Sequence, residues 1–579
     1  TIADREHQLN QQLVDQLSIK TPNGDQQAKF LSGGNQQKIV IAKWLPLEPK
    51  LFMLDEPTRG VDVGSKKEIY ELIHQLADDG GTVLFVSSEI HPFAKTGGLA
   101  DVGCALPKAL QSLGHQPIVF MPAYRSVMEG DHPIESTDIQ IQIPVGNRLM
   151  NGSILQGTLP HSNVPIYFIE QHEYFDREGI YGGQSDYEDN CARFSFFSRA
   201  VLEAINVLHL DVDVIHCNDW QTGLIPALVR LQNRPLGVDT QTALIMTIHN
   251  LAYQGVFGRA EMRSTGLDWK HFNWQEMEFY GKLNLLKTGL VFADGLSTVS
   301  PTYANEIQTT EHGCGLESLL RDRKNDLAGI INGVDYNDWN PETDALLASK
   351  FSSSNWRIGK PQCKEDLQHI MGLPVKSDAP LIGIIGRLAE QKGWDLIIEL
   401  MRCWLPDSEV QWAILGTGEA RFEKEISELV QRFPERISAQ LTFSNELAHK
   451  IEAGADMFLM PSRYEPCGLN QLYSLKYGTV PIVRATGGLK DSVTNADQEA
   501  VTAGEANGFS FSEYSAAGIQ DAVHRAVLTY SEHQEIWGRI VETGMKQDWS
   551  WTNSARHYVD LYQSTLSQLS PKSVDCPIP

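Results

Sequence analysis

The feature that most constrains the fold is an alternation of short apolar runs with longer amphipathic stretches. The runs are rich in branched and aromatic side chains, which is typical of buried strands, and the stretches between them have helical length and spacing. Ten such runs occupy residues 51–55, 82–88, 116–122, 164–170, 213–219, 243–250, 380–387, 411–416, 456–462 and 479–485. Strands that alternate with helices form parallel sheets covered by helices, so the sequence predicts an α/β fold. Ligands of such sheets lie at the carboxyl ends of strands, and the residues that follow each run are therefore the first candidates for a site.

The length of the chain and two breaks in its pattern indicate several domains. The chain has 579 residues, which is roughly three to four domains of about 150 residues each. A linker-like segment at 376–380 introduces a fresh series of strands and helices, and the two sides of a second break, near 81–88, belong to different kinds of protein. We predict domains with these boundaries: 1–81, 82–375, 376–545, and a C-terminal helix and tail over 546–579.

Charge and cysteine content narrow the class of protein. Acidic residues number 73 and basic residues 48, so the net charge is −25, and a basic face for nucleic acid is not expected. No apolar run approaches the ~18 residues that would span a bilayer, and the N-terminus is too polar for a secretory signal. The eight cysteines are scattered without a CxxC pair or zinc spacing, which predicts a reducing compartment and no structural metal. We therefore expect a cytoplasmic protein with no nucleic-acid and no membrane partner.

The first eighty residues contain two motifs typical of nucleotide hydrolysis. LSGGNQQK at 31–38 is followed by an apolar run that ends on Asp55 and Glu56, residue types that can hold a magnesium shell and polarise a water. Over about 20–88 the sequence resembles the signature and Walker B segments of an ABC-type ATPase of sugar importers. The GxxxxGK[ST] loop that holds nucleotide phosphates does not occur in the sequence. We therefore expect a truncated remnant, incomplete as an α/β layer, that packs irregularly and does not hydrolyse ATP.

A glycine-bearing turn follows the run that begins at Thr82. Lys95, Thr96, Gly97 and Gly98 stand between this strand and a predicted helix. Backbone amides in such a turn can approach a phosphorylated ligand because glycine has no Cβ, and Lys95 adds a positive charge. An ordinary turn between a strand and a helix is the alternative interpretation.

Several longer motifs identify the rest of the chain. They are YGGQSDYEDNCARFSFFSRA (181–200), HCNDWQTGL (216–224), TIHNLAYQGVF (247–257), INGVDYNDWNPETD (331–344), GRLAEQKGWDL (386–396), PSRYEPCGLNQLYSLKYG (461–478) and RATGGLKDSV (484–493). In order, spacing and identity they resemble the family of bacterial glycogen synthases and plant starch synthases over about 82–565. The resemblance implies the GT-B fold, in which two Rossmann-like domains face a central cleft. It also implies transfer of glucose from ADP-glucose to the non-reducing end of an α-1,4-glucan, glycogen or a malto-oligosaccharide, with retention of configuration and release of ADP.

Two basic residues are the candidates for binding the departing diphosphate. Arg387 and Lys392 lie five positions apart just beyond an apolar strand, and a guanidinium fork with an ammonium charge can hold one anionic group together. The resemblance assigns both to the leaving diphosphate, in place of the metal ion that other transferases use, so no metal and no cofactor are expected. A surface ion pair is the alternative.

Glu465 and His249 complete the predicted catalytic set. Glu465 follows a strand in the loop PSRYEPCG, and the resemblance implies that it contacts the donor sugar, whereas a cap of the following helix is the alternative. His249 ends another strand and could be a general base or a core histidine. The resemblance instead places His249 beside the donor glucose, where its backbone carbonyl stabilises positive charge at the anomeric carbon.

The resemblance implies a further set of residues around the donor and the acceptor. They are Lys95, Thr96, Gly97, Gly98, Asp101, Asp219, Trp220, Asn250, Asn332, Phe443, Cys467, Gly468, Thr486, Gly487 and Gly488. Thr486–Gly488 repeats the pattern of the first glycine turn in the opposite domain. The two turns would bind the sugar nucleotide from both sides, and closure of the two domains would exclude water. Phe443 is placed against the adenine, with core packing as the alternative, and Cys467 is a wall residue rather than a nucleophile.

Two other functions remain open at this point. The chain could be an ABC-type transport ATPase subunit fused to a sugar-binding module, although the missing phosphate loop counts against it. It could also be a GT-B glycan phosphorylase with pyridoxal phosphate, which a lysine aldimine absorbance would reveal. The motifs contain no evident carboxylate nucleophile, so a glycosidase scheme fits poorly. By resemblance, the departing phosphate oxygen helps to deprotonate the acceptor hydroxyl in a front-face substitution, and residues 549–563 form a helix that crosses back onto the first domain.

Overall fold

The structure is a computed structural model that describes residues 14, 17, 19–21, 26–43, 80–183, 185–232 and 234–569. The chain divides into two units, Thr1–Gly81 and Thr82–Pro579. Asp55 and Glu56, with the predicted strand that they end, lie outside the described residues, as does most of the segment for which irregular packing is expected.

The described part of the first unit contains one short helical region. A 3₁₀ turn at Ala28–Phe30 precedes helix α1 (Gly33–Ala42), which begins inside the LSGGNQQK motif. Ile41 of this helix is buried with Leu17 and Ile19 in a small apolar cluster. Within the described ranges of the whole chain, every helix is too short or too polar to span a lipid bilayer.

The second unit contains eighteen strands and nineteen further α-helices among its described residues. The strands are β1 (Thr82–Val86), β2 (Gln116–Pro122), β3 (Glu135–Val145), β4 (Arg148–Thr158), β5 (Pro165–Glu170), β6 (Val214–Asn218), β7 (Ala243–Ile248), β8 (Val256–Phe257), β9 (Glu278–Phe279), β10 (Lys282–Asn284), β11 (Gly295–Thr298), β12 (Leu327–Gly329), β13 (Leu381–Ile385), β14 (Gln411–Leu415), β15 (Ile437–Gln440), β16 (Met457–Met460), β17 (Val480–Arg484) and β18 (Phe509–Phe511). The helices are α2 (Gly98–Ser112), α3 (Arg125–Met128), α4 (His172–Phe175), α5 (Asn190–Val207), α6 (Leu224–Leu231), α7 (Met262–Thr265), α8 (Leu285–Phe292), α9 (Pro301–Glu306), α10 (Glu317–Asp322), α11 (Trp356–Met371), α12 (Trp394–Trp404), α13 (Ala420–Arg432), α14 (Asn445–Gly454), α15 (Asn470–Tyr477), α16 (Gly487–Ser492), α17 (Gln498–Ala503), α18 (Ala516–Glu532), α19 (Gln534–Lys546) and α20 (Trp551–Leu569).

The first lobe is built on a nine-stranded sheet over 82–329. Its strand order is β12-β11-β7-β6-β1-β2-β5-β4-β3. The strands from β12 to β5 are parallel, and β4 and β3 extend the sheet in antiparallel pairing. The chain proceeds outward from β1 to β2 and returns to β6 on the other side of β1. This reversal creates a crevice outside the carboxyl ends of β1 and β6, the place where open α/β sheets bind ligands.

The second lobe is built on a six-stranded parallel sheet over 381–511. Its order is β15-β14-β13-β16-β17-β18, so the chain reverses between β13 and β16. The central strands of both sheets are almost wholly buried. Parallel strands covered by helices on both faces need continuous apolar runs, and this explains why the sequence shows them. The predicted α/β fold with two Rossmann-like sheets is confirmed.

Nine of the ten predicted strands lie in the described ranges, and all nine form: β1, β2, β5, β6, β7, β13, β14, β16 and β17. The sequence pattern missed the antiparallel hairpin β3–β4 and the short strands β8, β9, β10, β11, β12, β15 and β18. β3 carries polar residues on its exposed face, and a strand of two to four residues offers too few positions for a period to be recognised.

Two helices near the domain boundaries join distant parts of the second unit. Lys360 of α11 donates to the carbonyls of Ala453 and Ala455, both at 2.9 Å, and to Thr479 Oγ1 at 2.7 Å, which attaches this helix to the second lobe. The terminal helix α20 returns to the first lobe, where the Tyr562 hydroxyl lies 2.7 Å from His216 Nδ1. A helix thus forms over most of the predicted residues 549–563 and contacts the first lobe, whereas the domain organisation and its boundaries stay predictions.

Candidate active site

Several polar residues lie at the points where the two sheets reverse. Glu89 follows β1 and Asp219 follows β6 in the first lobe, whereas Arg387 follows β13 and Glu465 follows β16 in the second. The lobes meet close to these ends, because Leu469 Cδ1 would lie 3.9 Å from a Cβ on Gly98. The fold therefore brings the carboxyl ends of both sheets to one seam.

The first glycine turn is held by a buried carboxylate. Glu89, only 4% exposed, accepts hydrogen bonds from the Thr96 amide (2.6 Å), the Thr96 hydroxyl (2.6 Å) and the Gly97 amide (3.1 Å). Tyr181 donates its hydroxyl to the same carboxylate at 2.6 Å. These bonds preorganise the turn, and they engage two of the amides that the sequence assigns to a phosphorylated ligand.

Lys95 remains close to the surface beside this turn. Its ammonium lies 2.7 Å from Asp101 Oδ1, and the two side chains are 40% and 26% exposed. An ion pair this exposed is weak. The ammonium can therefore turn from Asp101 to an anionic ligand at small cost.

Asp219 and His249 occupy the ends of neighbouring strands. Asp219 has a φ of 56°, an uncommon conformation for a residue with a Cβ and one that is found at functional sites. Its Oδ1 accepts the His249 amide at 2.8 Å, and His249 Nε2 lies 2.9 Å from Asn218 Oδ1. Asn218 Nδ2 donates to the Val86 carbonyl at 3.0 Å, so its Oδ1 must face the imidazole. His249 therefore carries its proton on Nε2.

Burial sets the charge of both groups. It lowers the pKa of His249 to about 3, so the imidazole is neutral near pH 7. Burial also raises the pKa of Asp219 to about 7, against the two backbone hydrogen bonds that favour the ionised carboxylate. A neutral histidine with so low a pKa is a poor proton acceptor.

We expect the variant Asp219→Asn to be more stable than the wild type at high pH. The folded pKa of Asp219 lies above its unfolded value, so its contribution to stability is full below the unfolded pKa and is lost as pH rises from about 4 to about 7. The uncharged asparagine avoids this loss and can still accept the His249 amide. Thermal unfolding should show that its Tm advantage is about 2–4 °C larger at about pH 8 than at about pH 5.5. Asp560→Asn, on a side chain that is 76% exposed, is the control. An equal Tm difference at both pH values would contradict the prediction.

Trp220 forms a wall of the first lobe. Its ring packs against Phe194, Phe257 and Tyr181, with centroid distances of 5.0, 5.6 and 6.4 Å. Gly255 lies beneath it with a φ of +61°, and a Cβ there would come within 2.4 Å of the ring. Only glycine can occupy this position.

Beyond β7, Asn250 Oδ1 accepts the Ala252 amide at 3.0 Å, which shapes the following turn.

The two predicted phosphate-binding residues differ in their surroundings. Arg387 is exposed, and its guanidinium makes a 3.3 Å contact with Gln391. Lys392 places its ammonium 2.6 Å from Glu465 Oε2, and the two side chains are 28% and 8% exposed. The pair is formed inside the predicted site and is partly shielded from water, so a simple surface ion pair does not describe it.

Glu465 lies in a tightly packed loop and does not cap the following helix. It is 6% exposed, and it accepts the Ser462 hydroxyl at 2.9 Å as well as Lys392. Helix α15 begins only at Asn470, with Leu469 as the preceding residue, so the capping alternative is wrong. Gly468 has a φ of +72° and turns the chain into that helix.

Cys467 is a buried thiol at the seam between the lobes. Burial raises its pKa to about 12, so the sulfur stays protonated and is unsuited to act as a nucleophile. The backbone of Asn332, just beyond β12, hydrogen-bonds this sulfur. Asn332 is 5% exposed, and its side-chain Oδ1 has no hydrogen-bond partner in the described part of the chain.

The second glycine turn contacts both lobes. Thr486 Oγ1 and the Gly487 amide donate to Glu306 Oε1 at 3.0 and 3.1 Å, and Glu306 belongs to the first lobe. The Gly488 amide donates to the Pro466 carbonyl at 3.1 Å. The turn therefore touches the loop of Glu465 directly, while its role in binding the donor stays a prediction.

Phe443 lies in the loop after β15 and is 82% exposed, so it is not a core residue and its face is open for stacking.

Burial raises the pKa of the Tyr464 hydroxyl, and the groups around it include Tyr253 of the first lobe and Arg387 of the second. Arg387 thus lies near the seam.

Within the described part of the chain, no three His, Cys, Asp or Glu side chains are grouped so that they could hold a metal ion.

Sequence reasoning missed four residues that organise the site: Glu89, Tyr181, Glu306 and Asp491. A carboxylate three residues beyond a buried strand could have pointed to Glu89, and Tyr181 begins a motif that was recognised. Glu306 and Asp491 act on the opposite lobe, and no local pattern marks such residues.

Comparisons with known proteins agree with the geometry. Residues 82–322 match the family described as the starch synthase catalytic domain, residues 369–542 match glycosyl transferases group 1, and residues 3–59 match ABC transporters. A glycogen synthase of Rhodopirellula baltica is 46% identical over 496 residues, which cover 84% of this chain and 98% of that protein. Glycogen synthase 2 of Geobacter metallireducens is 45% identical over 488 residues, covering 83% and 98%.

Solved structures extend this result to the fold. The catalytic domain of starch synthase IV from Arabidopsis thaliana, bound to ADP and acarbose, superposes with a TM-score of 0.78 at 35% identity. It covers 84% of this chain and all of that one. Sucrose-phosphate synthase from Thermosynechococcus elongatus, at 16% identity and a TM-score of 0.50 with 84% and 100% coverage, shares the fold alone. Two Rossmann-like sheets and relatives matched over nearly their whole length confirm the resemblance, and the chain belongs to the glycogen synthase family of GT-B glycosyltransferases.

Proposed function

We propose that this chain transfers glucose from ADP-glucose to the non-reducing end of an α-1,4-glucan, with retention of configuration and release of ADP. The observation that carries the proposal is the contact of Lys392 with Glu465, 2.6 Å long, beside the exposed Arg387. This arrangement stands at the sheet reversal of the second lobe, where a nucleotide is expected. The plant relative bound to ADP and acarbose supports a nucleotide diphosphate donor and a glucan acceptor.

The basic pair would neutralise the diphosphate as it departs. Charge that develops on the leaving oxygens is stabilised by donors that are already in place and partly shielded from water. Lys392 has three N–H donors, so it can bind Glu465 and a phosphate oxygen together. Arg387 offers a planar fork that suits a second phosphate oxygen pair.

The first lobe would hold the sugar without serving as the base. His249 carries its proton on Nε2 toward Asn218, and its pKa of about 3 makes the imidazole a weak proton acceptor. Glu465 is engaged by Lys392 and Ser462, which favours binding of sugar hydroxyls over nucleophilic attack. We therefore assign the acceptor proton to the departing phosphate oxygen, in a front-face substitution. Binding roles for the glycine turns, Phe443 and the other predicted residues are part of this proposal, as is a cytoplasmic location, which rests on the sequence alone.

Incorporation of labelled glucose into glycogen tests the proposal. We expect incorporation from ADP-glucose at a higher kcat/KM than from UDP-glucose. A shortened chain that begins at Thr82 should have the same kcat as the whole chain, since every residue assigned above lies at or beyond Glu89. Incorporation only from UDP-glucose would overturn the donor assignment, and no incorporation from either donor would overturn the function.

A further inference from the structure

Two short helices from opposite lobes lie beside each other at the seam, and each binds a carboxylate of the other. Asp491 of α16 accepts the Thr302 amide at 3.0 Å and the Thr302 hydroxyl at 2.5 Å. It also accepts the hydroxyl of Ser300, which immediately precedes α9. In the other direction, Glu306 at the end of α9 accepts Thr486 Oγ1 and the Gly487 amide.

These bonds connect directly to the catalytic loop of the second lobe. The turn that Glu306 binds is packed so closely on that loop that a Cβ on Gly487 would lie 1.9 Å from the Glu465 carbonyl oxygen. The next amide, of Gly488, donates to the Pro466 carbonyl at 3.1 Å. A displacement of the turn relative to the first lobe would therefore displace Glu465 as well.

The other end of this connection is close to the first-lobe site. α9 follows β11, which pairs with β7, the strand that ends just before His249. Tyr303 of α9 accepts the Leu251 amide at 3.0 Å on its hydroxyl, only two residues beyond His249. The contact between α9 and α16 thus links the loop of Glu465 to the strand end that carries His249.

We infer that Glu306 and Asp491 are positioning residues that set the distance between the two halves of the active site. We call the contact of their carboxylates with Ser300, Thr302, Thr486 and Gly487 the interlobe clasp. Hydrogen bonds to carboxylates are stronger than neutral ones, and those of the clasp are partly shielded from solvent. Because the bonds run between lobes, their loss should affect transfer more than the folding of either lobe. The inference rests on the proposed function for its kinetic readout.

Alanine variants of both carboxylates test the clasp. We expect Glu306→Ala and Asp491→Ala each to lower kcat by about ten- to a hundredfold, since misplacement by about 1 Å has effects of this size. KM for ADP-glucose should change less than kcat, because Arg387 and Lys392 are untouched. Glu311→Ala and Asp521→Ala, at side chains that are 79% and 66% exposed, are the matched controls and should keep the wild-type kcat.

Two further measurements separate positioning from stability. The double variant should be no slower than the slower single variant, because either substitution opens the same clasp. Small-angle X-ray scattering should give a larger radius of gyration for both alanine variants, with Tm close to that of the wild type. Wild-type kcat in both variants, multiplicative losses in the double variant, or a large fall in Tm would overturn the inference. If the wild type shows no transfer, the proposed function fails, and an unchanged radius of gyration in both variants then overturns the clasp independently.

Discussion

The variant Lys392→Ala should transfer glucose with a kcat about 10²–10³-fold below that of the wild type while the chain stays folded. A loss of this size corresponds to about 3–4 kcal/mol, which is typical of removing one preorganised donor from a developing negative charge. The variant also leaves Glu465, only 6% exposed, without its cationic partner. Steady-state kinetics with ADP-glucose and glycogen measure the loss, and circular dichroism checks the fold.

Lys424→Ala is the matched control for this prediction. Lys424 belongs to the same lobe, its side chain is 78% exposed, and its partner Glu428 is 4.0 Å away. We expect its kcat to equal that of the wild type. If Lys392→Ala also turned over at the wild-type rate, the role assigned to the ammonium would be refuted.

The variant Glu465→Gln should lower kcat by about 10²-fold with little loss of stability. The amide keeps the size of the carboxylate and can accept the Ser462 hydroxyl, but it no longer neutralises Lys392 or presents a full negative charge to the donor sugar. Because Glu465 and Lys392 are in contact, the double variant should lose less than the product of the two single losses. This non-additivity distinguishes a coupled pair from two independent binding residues.

Glu425→Gln provides the control for the carboxylate. Glu425 pairs with Arg402 at 2.9 Å in the same lobe, on side chains that are 34% and 62% exposed. It should leave kcat unchanged. A Glu465→Gln variant as active as this control would show that the negative charge of Glu465 contributes nothing to transfer.

Much of the fold could be predicted because its cause is local. Buried parallel strands require continuous apolar runs, and β1, β2 and β13 stand where such runs occur in the sequence. Site residues directly beyond strand ends, such as Asp219 and Arg387, were recognised for the same reason. The hairpin β3–β4 was missed because it is partly exposed and adds to the sheet edge, where the need for apolar residues is weaker.

The sequence by itself determined the α/β alternation, the family and the residues at the strand ends, because each depends on a pattern within a short stretch of neighbouring residues. Only the tertiary structure decided which groups engage the two glycine turns. Thr96 and Gly97 bind Glu89 of their own lobe, whereas Thr486 and Gly487 bind Glu306, 180 residues away along the chain. A hydrogen bond between lobes depends on how two separately folded sheets meet, and that geometry arises from the packing of the whole unit rather than from any local pattern.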